Sequence, residues 1–169
     1  VLYLLFSGFT LLWIGITSKG NLYWAFADEH LNFVNMFRRF LLGSAKVLCS
    51  LLGYEASFFG EYGLRIENRA IRLVYSCLGF GVLSFYAAFI LAWPAPALIK
   101  GKWIPLFFGT ALIIVLNIVR LSLLPIIHIE YPFTKNFPVD HHDVFNTILY
   151  LVIGGMVYPW TQRPITIPK

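Results

Sequence analysis

The sequence predicts an all-α integral membrane protein with a single domain over residues 1–169, and three observations lead to this prediction. Of the 169 residues, 59% are hydrophobic and only 12% are charged, and the mean hydropathy is +0.73. A typical soluble domain is about 25% charged, so too few charges remain here to cover a water-facing surface. Four long uncharged runs come close to the length of about 20 apolar residues that a membrane-spanning helix needs.

Four membrane-spanning helices are predicted from these runs. The predicted spans cover residues 1–18, 73–97, 103–127 and 142–160. Within a bilayer, every backbone N–H and C=O group must be satisfied inside the protein, which favours a helix for each run. The first run contains no small-residue cleavage site, so we interpret it as a span and not as a signal peptide.

Residues 31–52 show an amphipathic pattern instead of a uniformly apolar one. Polar residues recur there at spacings of three and four, which makes one stripe along a helix. The stripe consists of Asn32, Asn35, Arg39, Gly43, Lys46 and Ser50. Such a helix can lie in the membrane interface or re-enter the membrane with its stripe toward a cavity, and we favour either over a fifth span. Cys49 falls on the apolar side and is assigned to packing.

Residues 54–72 change to a two-residue period, which is typical of short strands. Leu64, Ile66 and Ile71 alternate with charged residues, and Asn68-Arg69 can form a turn between the two halves. The pattern predicts a small extracytoplasmic hairpin or loop that leads into the second span.

The orientation of the chain is predicted from basic residues in short loops. Lys100 and Lys102 lie between the second and third spans, and Arg163 and Lys169 follow the fourth. Because cytoplasmic loops carry an excess of lysine and arginine, we expect these loops inside and the hairpin outside the cytoplasmic membrane. The net charge of +5 is scattered among apolar stretches and does not indicate a nucleic-acid partner.

Side chains that could take part in catalysis fall at the outer ends of three predicted spans. Cys77 lies at the start of the second span, and Arg120 lies near the end of the third with Asn117 one helical turn before it. The start of the fourth span carries His141, His142 and Asp143. With this topology, three helices deliver a thiol, a guanidinium and an imidazole to the same depth.

A cysteine peptidase mechanism would use each of these groups. A thiolate is the nucleophile, and cationic neighbours favour it, so Cys77 would attack a peptide carbonyl and form a thioester. His142 would take the thiol proton and later protonate the leaving amine. Arg120 would hold the thiolate or the oxyanion through its fixed fork of donors. Asn117 would orient Arg120 or the substrate backbone, and Asp143 or Asp140 would orient the imidazole.

The same residues also have structural interpretations. A lone cysteine in an apolar helix usually packs, an arginine near a helix end can extend to the interface, and Asp140 or Asp143 can cap a helix. A metal or haem site would draw on His128, His141, His142 and Cys77. Side chains at adjacent helix positions diverge by about 100°, so this set is poorly spaced, and we expect neither a metal nor another cofactor.

At these residues the chain resembles the exosortase/archaeosortase family of integral-membrane cysteine transpeptidases, over about residues 51–158. The resemblance is carried, in order, by Leu51-Leu52-Gly53, Ser76-Cys77-Leu78-Gly79, Asn117-Ile118-Val119-Arg120 and His142-Asp143. The chain departs from the family at Tyr75 and Leu78, where members commonly have an acidic and a small residue. The family pattern of His-Asp before an apolar helix favours His142 as the catalytic histidine, with His141 in reserve.

The resemblance implies a function in protein sorting at the cell surface. Family members act on secreted proteins that carry a C-terminal signal made of a short motif, a transmembrane helix and a basic cluster. The implied reaction cleaves at the motif and passes the new carboxyl end to an acceptor, either a membrane lipid or a surface glycan or lipid. The alternative is a non-enzymatic membrane carrier or assembly scaffold, in which Arg120 lines a path or contacts a partner.

Overall fold

The computed structural model describes residues 1–18, 22–93, 100–130 and 141–161, and over these ranges the chain is mostly helical. The helices are α1 (Leu2–Thr17), α2 (Ala25–Leu31), α3 (Phe33–Leu51), α4 (Phe80–Ala92), α5 (Lys100–Glu130) and α6 (His141–Thr161). Between α3 and α4 lie the strands β1 (Ala56–Phe59), β2 (Gly63–Ile66) and β3 (Arg69–Arg72), followed by a 3₁₀ turn, Tyr75–Leu78. The chain is mostly helical, as predicted, and the predicted small hairpin is part of a three-stranded sheet.

The long helix α5 forms the centre of the structure. It packs against α3, α4, α6 and β3, while α1 packs along α4. The first hydrophobic cluster joins α3, the sheet and α5 through residues that include Leu41, Leu42, Leu64, Ile66 and Leu121. The second cluster joins α4, α5 and α6 through Tyr86, Ile90, Ile113, Leu149 and Ile153. Helix α5 contributes to both clusters, so this helix connects the sheet to the helical bundle.

Three of the four segments predicted as spans are helical over nearly their whole length. Residues 1–18 correspond to α1, residues 103–127 lie within α5, and residues 142–160 lie within α6. Long uncharged runs leave the backbone no alternative partner inside an apolar environment, so their helices are the easiest elements to predict.

The predicted bounds of the second span, residues 73–97, are wrong, because α4 extends only from Phe80 to Ala92. Gly79 has a φ of +79°, a left-handed conformation that glycine adopts without strain, and it separates the 3₁₀ turn from α4. At the other end, Trp93 has an extended ψ of 127°. The residue after Trp93 is Pro94, and a residue that precedes proline is disfavoured in a helix.

Among the described residues, one segment is long and apolar enough to cross a bilayer. This segment, Lys102–Ile127, has 26 residues and lies within α5. Its most apolar 18-residue stretch has a mean hydropathy of 2.3, and 39% of that stretch is buried inside the protein. The apolar stretches of α1, α4 and α6 are shorter. The 13 residues of α4 extend only about 20 Å, against a hydrocarbon core of about 30 Å. By length and composition alone, the core helix of a soluble protein meets the same criterion.

Helix α3 is amphipathic, as predicted for residues 31–52. The side chain of Asn32 caps its start by accepting the backbone N–H of Asn35 at 2.9 Å. The buried face consists of Val34, Arg38, Leu41, Leu42, Ala45 and Cys49. Every residue of the predicted polar stripe is described, and none of them is buried. Cys49 is 0% exposed, which confirms its assignment to packing.

The hairpin predicted over residues 54–72 is present and is extended by one further strand, so that an antiparallel sheet of order β1-β2-β3 forms. The turn between β2 and β3 is at Glu67-Asn68, one residue earlier than predicted, and Glu67 takes a φ of +48°. Leu64 and Ile66 are fully buried while Arg65 between them is exposed, which is the expected alternation. The sheet therefore rests one face on α3.

We expect Gly109→Ala to lower the free energy of unfolding by about 1–3 kcal/mol. A Cβ atom at Gly109 would collide with the ring and hydroxyl of Tyr86. Tyr86 is 1% exposed, and its hydroxyl donates to the Pro105 carbonyl at 2.6 Å, so the ring cannot move aside without losing that bond. The measurement is the midpoint of thermal unfolding of the purified protein.

Gly154→Ala in α6 is the matched control, because no atom lies within 4 Å of a Cβ at Gly154. Its unfolding midpoint should stay at or slightly above the wild-type value, since alanine is the better helix former. Equal shifts for both variants would contradict the tight packing of Tyr86 against α5.

Candidate functional site

Cys77 lies on the 3₁₀ turn Tyr75–Leu78, here called the Cys77 turn, and not on a helix as predicted. Its backbone N–H donates to the Val74 carbonyl at 3.0 Å. The side chain is half-buried and packs against the first hydrophobic cluster. Both cysteines are free, so the disulfide that two cysteines would allow is not formed. The thiol is thus held near the surface of the core on a short segment between the sheet and α4.

Asn117 connects α5 to the Cys77 turn. Its side-chain Nδ2 donates to the carbonyls of Cys77 at 3.2 Å and of Leu78 at 3.3 Å. Asn117 is 4% exposed, so these bonds satisfy the donor of its own buried amide. Gly79 lies directly against the amide, since a Cβ there would be 3.4 Å from Nδ2. The amide therefore holds the cysteine backbone, a role different from the predicted orientation of Arg120 or of a substrate.

Arg120 lies one helical turn after Asn117 on the same face of α5, and it is 7% exposed. This burial does not match the alternative in which the side chain extends to an exposed interface. Both residues line a cavity of about 430 Å³, here called the site cavity, between α4, α5 and α6. The Asn-x-x-Arg spacing thus directs one side chain to the Cys77 turn and the other to the adjoining cavity.

The site cavity is lined by a few polar side chains together with apolar and aromatic ones. The polar side chains that line it are Ser76, Asn117, Arg120 and Asn146. The apolar and aromatic wall includes Tyr3, Phe37, Phe85, Ile113, Leu149 and Tyr150. A concave, mostly apolar space with a small number of convergent polar groups is the usual form of a ligand site. Ser76 and Leu78 border the cavity, while Cys77 between them is not among its lining residues.

The predicted histidines lie at the start of α6, which begins at His141. The side chains of His141, His142 and Asp143 lie outside the described residues, as do the side chain of His128 and the whole of Asp140. Helix α6 packs against α5, and its residue Asn146 lines the site cavity. The first turns of α6 therefore approach the same cavity as Arg120.

Sequence reasoning missed Arg38, which is 2% exposed on α3. The carbon at the centre of its guanidinium lies 4.1 Å from the ring centroid of Tyr62 and 4.2 Å from that of Tyr75. Tyr75 is the first residue of the Cys77 turn. The available signal was the position of Arg38 on the apolar face of α3, where every other buried residue is uncharged.

The second cysteine has the environment of a packing residue. Burial raises the pKa of the Cys49 thiol, although the hydrogen bond to Ser122 acts in the opposite direction. Its Sγ lies 4.0 Å from the Ser122 carbonyl oxygen that it contacts. Because thiolate is the reactive form, a raised pKa and full burial leave Cys49 unreactive near neutral pH.

No family model matches the chain, and no curated protein or solved structure is significantly similar to it. The resemblance to the exosortase/archaeosortase family therefore stays a prediction. The geometry itself defines a free cysteine on a tight turn, held by a buried asparagine, beside a cavity with a buried arginine.

Proposed function

We propose that the protein is a membrane-embedded cysteine transpeptidase or protease of the exosortase/archaeosortase type, which uses Cys77, Arg120 and His142. The observation that carries this proposal is the hydrogen bond from Asn117 to the Cys77 carbonyl. It brings together two motifs that are 40 residues apart in the sequence, the cysteine motif and Asn-x-x-Arg. A peptidase site of this type needs these two motifs at one cavity.

Membrane insertion is supported by the apolar exterior of the helices. Strongly exposed apolar side chains on α1, α5 and α6 include Leu4, Leu11, Leu12, Ile104, Phe107, Phe108 and Leu151. Soluble monomers rarely expose contiguous apolar patches larger than a few hundred Å². In the proposal, α1, α4, α5 and α6 lie in the cytoplasmic membrane, and the bilayer adapts locally to the shorter helices. Helix α3 then lies in the interface, with the sheet and the Cys77 turn on the outer side.

The reaction assigned to the site has two steps. The Cys77 thiolate attacks the scissile carbonyl of a secreted protein's C-terminal signal, and Arg120 stabilises the oxyanion that forms. His142 holds the thiol proton and transfers it to the leaving amine, which leaves a thioester on Cys77. An amine or hydroxyl of a lipid or glycan acceptor, or water, then attacks the thioester and restores the thiol.

Helix geometry supports His142 over His141 as the acid–base residue. Position 142 lies four residues before Asn146, and positions at this spacing share one face of a helix. Asn146 lines the site cavity, so position 142 falls on the cavity side of α6. Position 141 is rotated by about 100° from it.

One observation favours the alternative, a non-enzymatic membrane carrier or assembly scaffold. The Cys77 side chain packs against the first hydrophobic cluster and does not line the site cavity. In a scaffold, Cys77 would contribute only packing, and Arg120 would contact a partner through the cavity. The reactivity of Cys77 therefore separates the two functions.

We expect iodoacetamide to alkylate Cys77 much faster than Cys49 in the folded protein between pH 5 and pH 9. Cys77 is half-exposed, whereas Cys49 is buried and its raised pKa makes thiolate scarce in this range. If His142 accepts the thiol proton, His142→Ala should slow the alkylation of Cys77 by about tenfold. The rates are measured on the two cysteine peptides by mass spectrometry of the purified protein.

His141→Ala is the matched control and should leave the alkylation of Cys77 unchanged. Cys77 could instead prove as unreactive as Cys49 in the wild type and in both histidine variants. That result would contradict the catalytic proposal and favour the scaffold.

A further inference from the structure

We propose that Arg38 is a positioning residue that holds the Cys77 turn in its working geometry through Tyr75. The catalytic consequence of this inference rests on the proposed function, whereas the contact itself is independent of it. Arg38 does not line the site cavity, so it acts on the turn and not on a substrate.

The guanidinium of Arg38 joins three separate segments of the chain. Arg38 belongs to α3, Tyr62 to the loop between β1 and β2, and Tyr75 to the Cys77 turn. Distances of 4.1 and 4.2 Å to the two ring centroids are well inside the range of about 6 Å for cation–π contacts. The planar guanidinium is the cation best suited to stacking on aromatic rings. The three residues Arg38, Tyr62 and Tyr75 are here called the arginine clamp.

The charge of Arg38 has no other explanation among the described residues. The side chain is 2% exposed, and within the described ranges it makes no ion pair and its Nε atom has no hydrogen-bond partner. A buried cation without a carboxylate is costly, and an apolar residue of similar size would fill the same space without that cost. The rings of Tyr62 and Tyr75 are the groups that stabilise this buried positive charge. The guanidinium in turn holds the two rings in place.

The Cys77 turn is thereby held at both ends. At its start, Tyr75 contacts Arg38, and its hydroxyl shares a hydrogen bond of 3.1 Å with Ser18 at the end of α1. At its end, Asn117 holds the carbonyls of Cys77 and Leu78. Loss of the clamp frees the start of the turn, two residues before the thiol, while the end stays attached to α5.

Amide hydrogen exchange of the purified full-length chain tests the clamp without any substrate. Arg38→Met and Tyr75→Leu should each speed the exchange of the Tyr75–Leu78 amides about tenfold, in line with the strength of a buried cation–π contact. Tyr75→Phe keeps the ring on Arg38 and loses only the hydrogen bond to Ser18, so its exchange should be clearly slower than that of Tyr75→Leu. Arg39→Met replaces the exposed neighbour of Arg38 and should also have no effect.

A double variant shows whether Arg38 acts through Tyr75. Because Tyr75→Leu already removes the contact with Arg38, Arg38→Met/Tyr75→Leu should exchange no faster than Tyr75→Leu alone. Additive effects, an unchanged turn, or faster exchange spread evenly over α3 and α5 would overturn the positioning role. If Arg38→Met does not fold, the difference between Tyr75→Leu and Tyr75→Phe decides, and equal exchange in the two overturns the clamp.

The processing reaction supplies a second readout. Arg38→Met should lower kcat about tenfold with KM unchanged, since the clamp positions the thiol and does not touch the substrate. A raised KM with unchanged kcat would overturn the positioning role. If the wild type processes no substrate but the exchange of Arg38 and Tyr75 variants is coupled, the proposed function fails and the clamp stands. If processing is normal and the exchange is uncoupled, the clamp alone fails.

Discussion

Cys77→Ala is expected to abolish the processing of a secreted reporter that carries a motif, a transmembrane helix and a basic cluster at its C-terminus. In the proposed reaction the Cys77 thiol forms the only covalent bond to the substrate, so its loss should reduce the rate by about a thousandfold or more. The protein itself should stay folded, because the half-buried Cys77 side chain lies at the edge of the first hydrophobic cluster. Cleavage is measured as the change in reporter size after co-expression, and the amount of inserted protein is measured alongside it.

Cys49→Ala is the control for loss of a cysteine without loss of the nucleophile. Cys49 is 0% exposed between α3 and α5, so this variant should be the less stable of the two and still process the reporter. Processing at the wild-type rate by Cys77→Ala would contradict the catalytic proposal and leave the scaffold. Loss of processing in both variants with loss of inserted protein would point to packing and contradict a specific role for Cys77.

The helices were predictable where one physical requirement acts along the sequence. Each of α1, α5 and α6 comes from a long uncharged run, and α3 comes from polar residues at helical spacing. The position of Cys77 was not predictable in this way, because its turn depends on tertiary contacts. The left-handed Gly79 separates the turn from α4, and the carbonyls that this break exposes are bonded by Asn117, 39 and 40 residues away.

The candidate site was predicted in part for the same reason. Asn117 and Arg120 are one helical turn apart, so their common face follows from the sequence, and the structure brings that face to the Cys77 turn. Arg38 could not be assigned in advance because its partners, Tyr62 and Tyr75, are aromatic and distant along the chain. A cation that is compensated by rings and not by a carboxylate leaves no charge pattern in the sequence.

Arg120→Gln is expected to lower kcat for the reporter by about a hundredfold to a thousandfold, which is the usual cost of removing a donor to an oxyanion. Arg120 is 7% exposed and lines the site cavity together with Asn117, so its side chain lies at the proposed site before a substrate binds. Glutamine is uncharged and shorter, so it removes both the positive charge and the planar fork of donors. Kinetics of the purified protein in detergent should show the loss mainly in kcat and not in KM.

Arg120→Lys separates the geometry of the guanidinium from its charge. Lysine keeps the positive charge but lacks the planar fork of donors, so we expect it to recover only a small part of the lost rate. Arg39→Gln, an exposed arginine of α3, is the control for charge removal and should process the reporter normally. Wild-type kinetics in Arg120→Lys would show that charge alone suffices and contradict an oxyanion contact through the fork. A loss of partner binding in Arg120→Gln, together with tolerance of Cys77→Ala, would assign the same cavity to a scaffold.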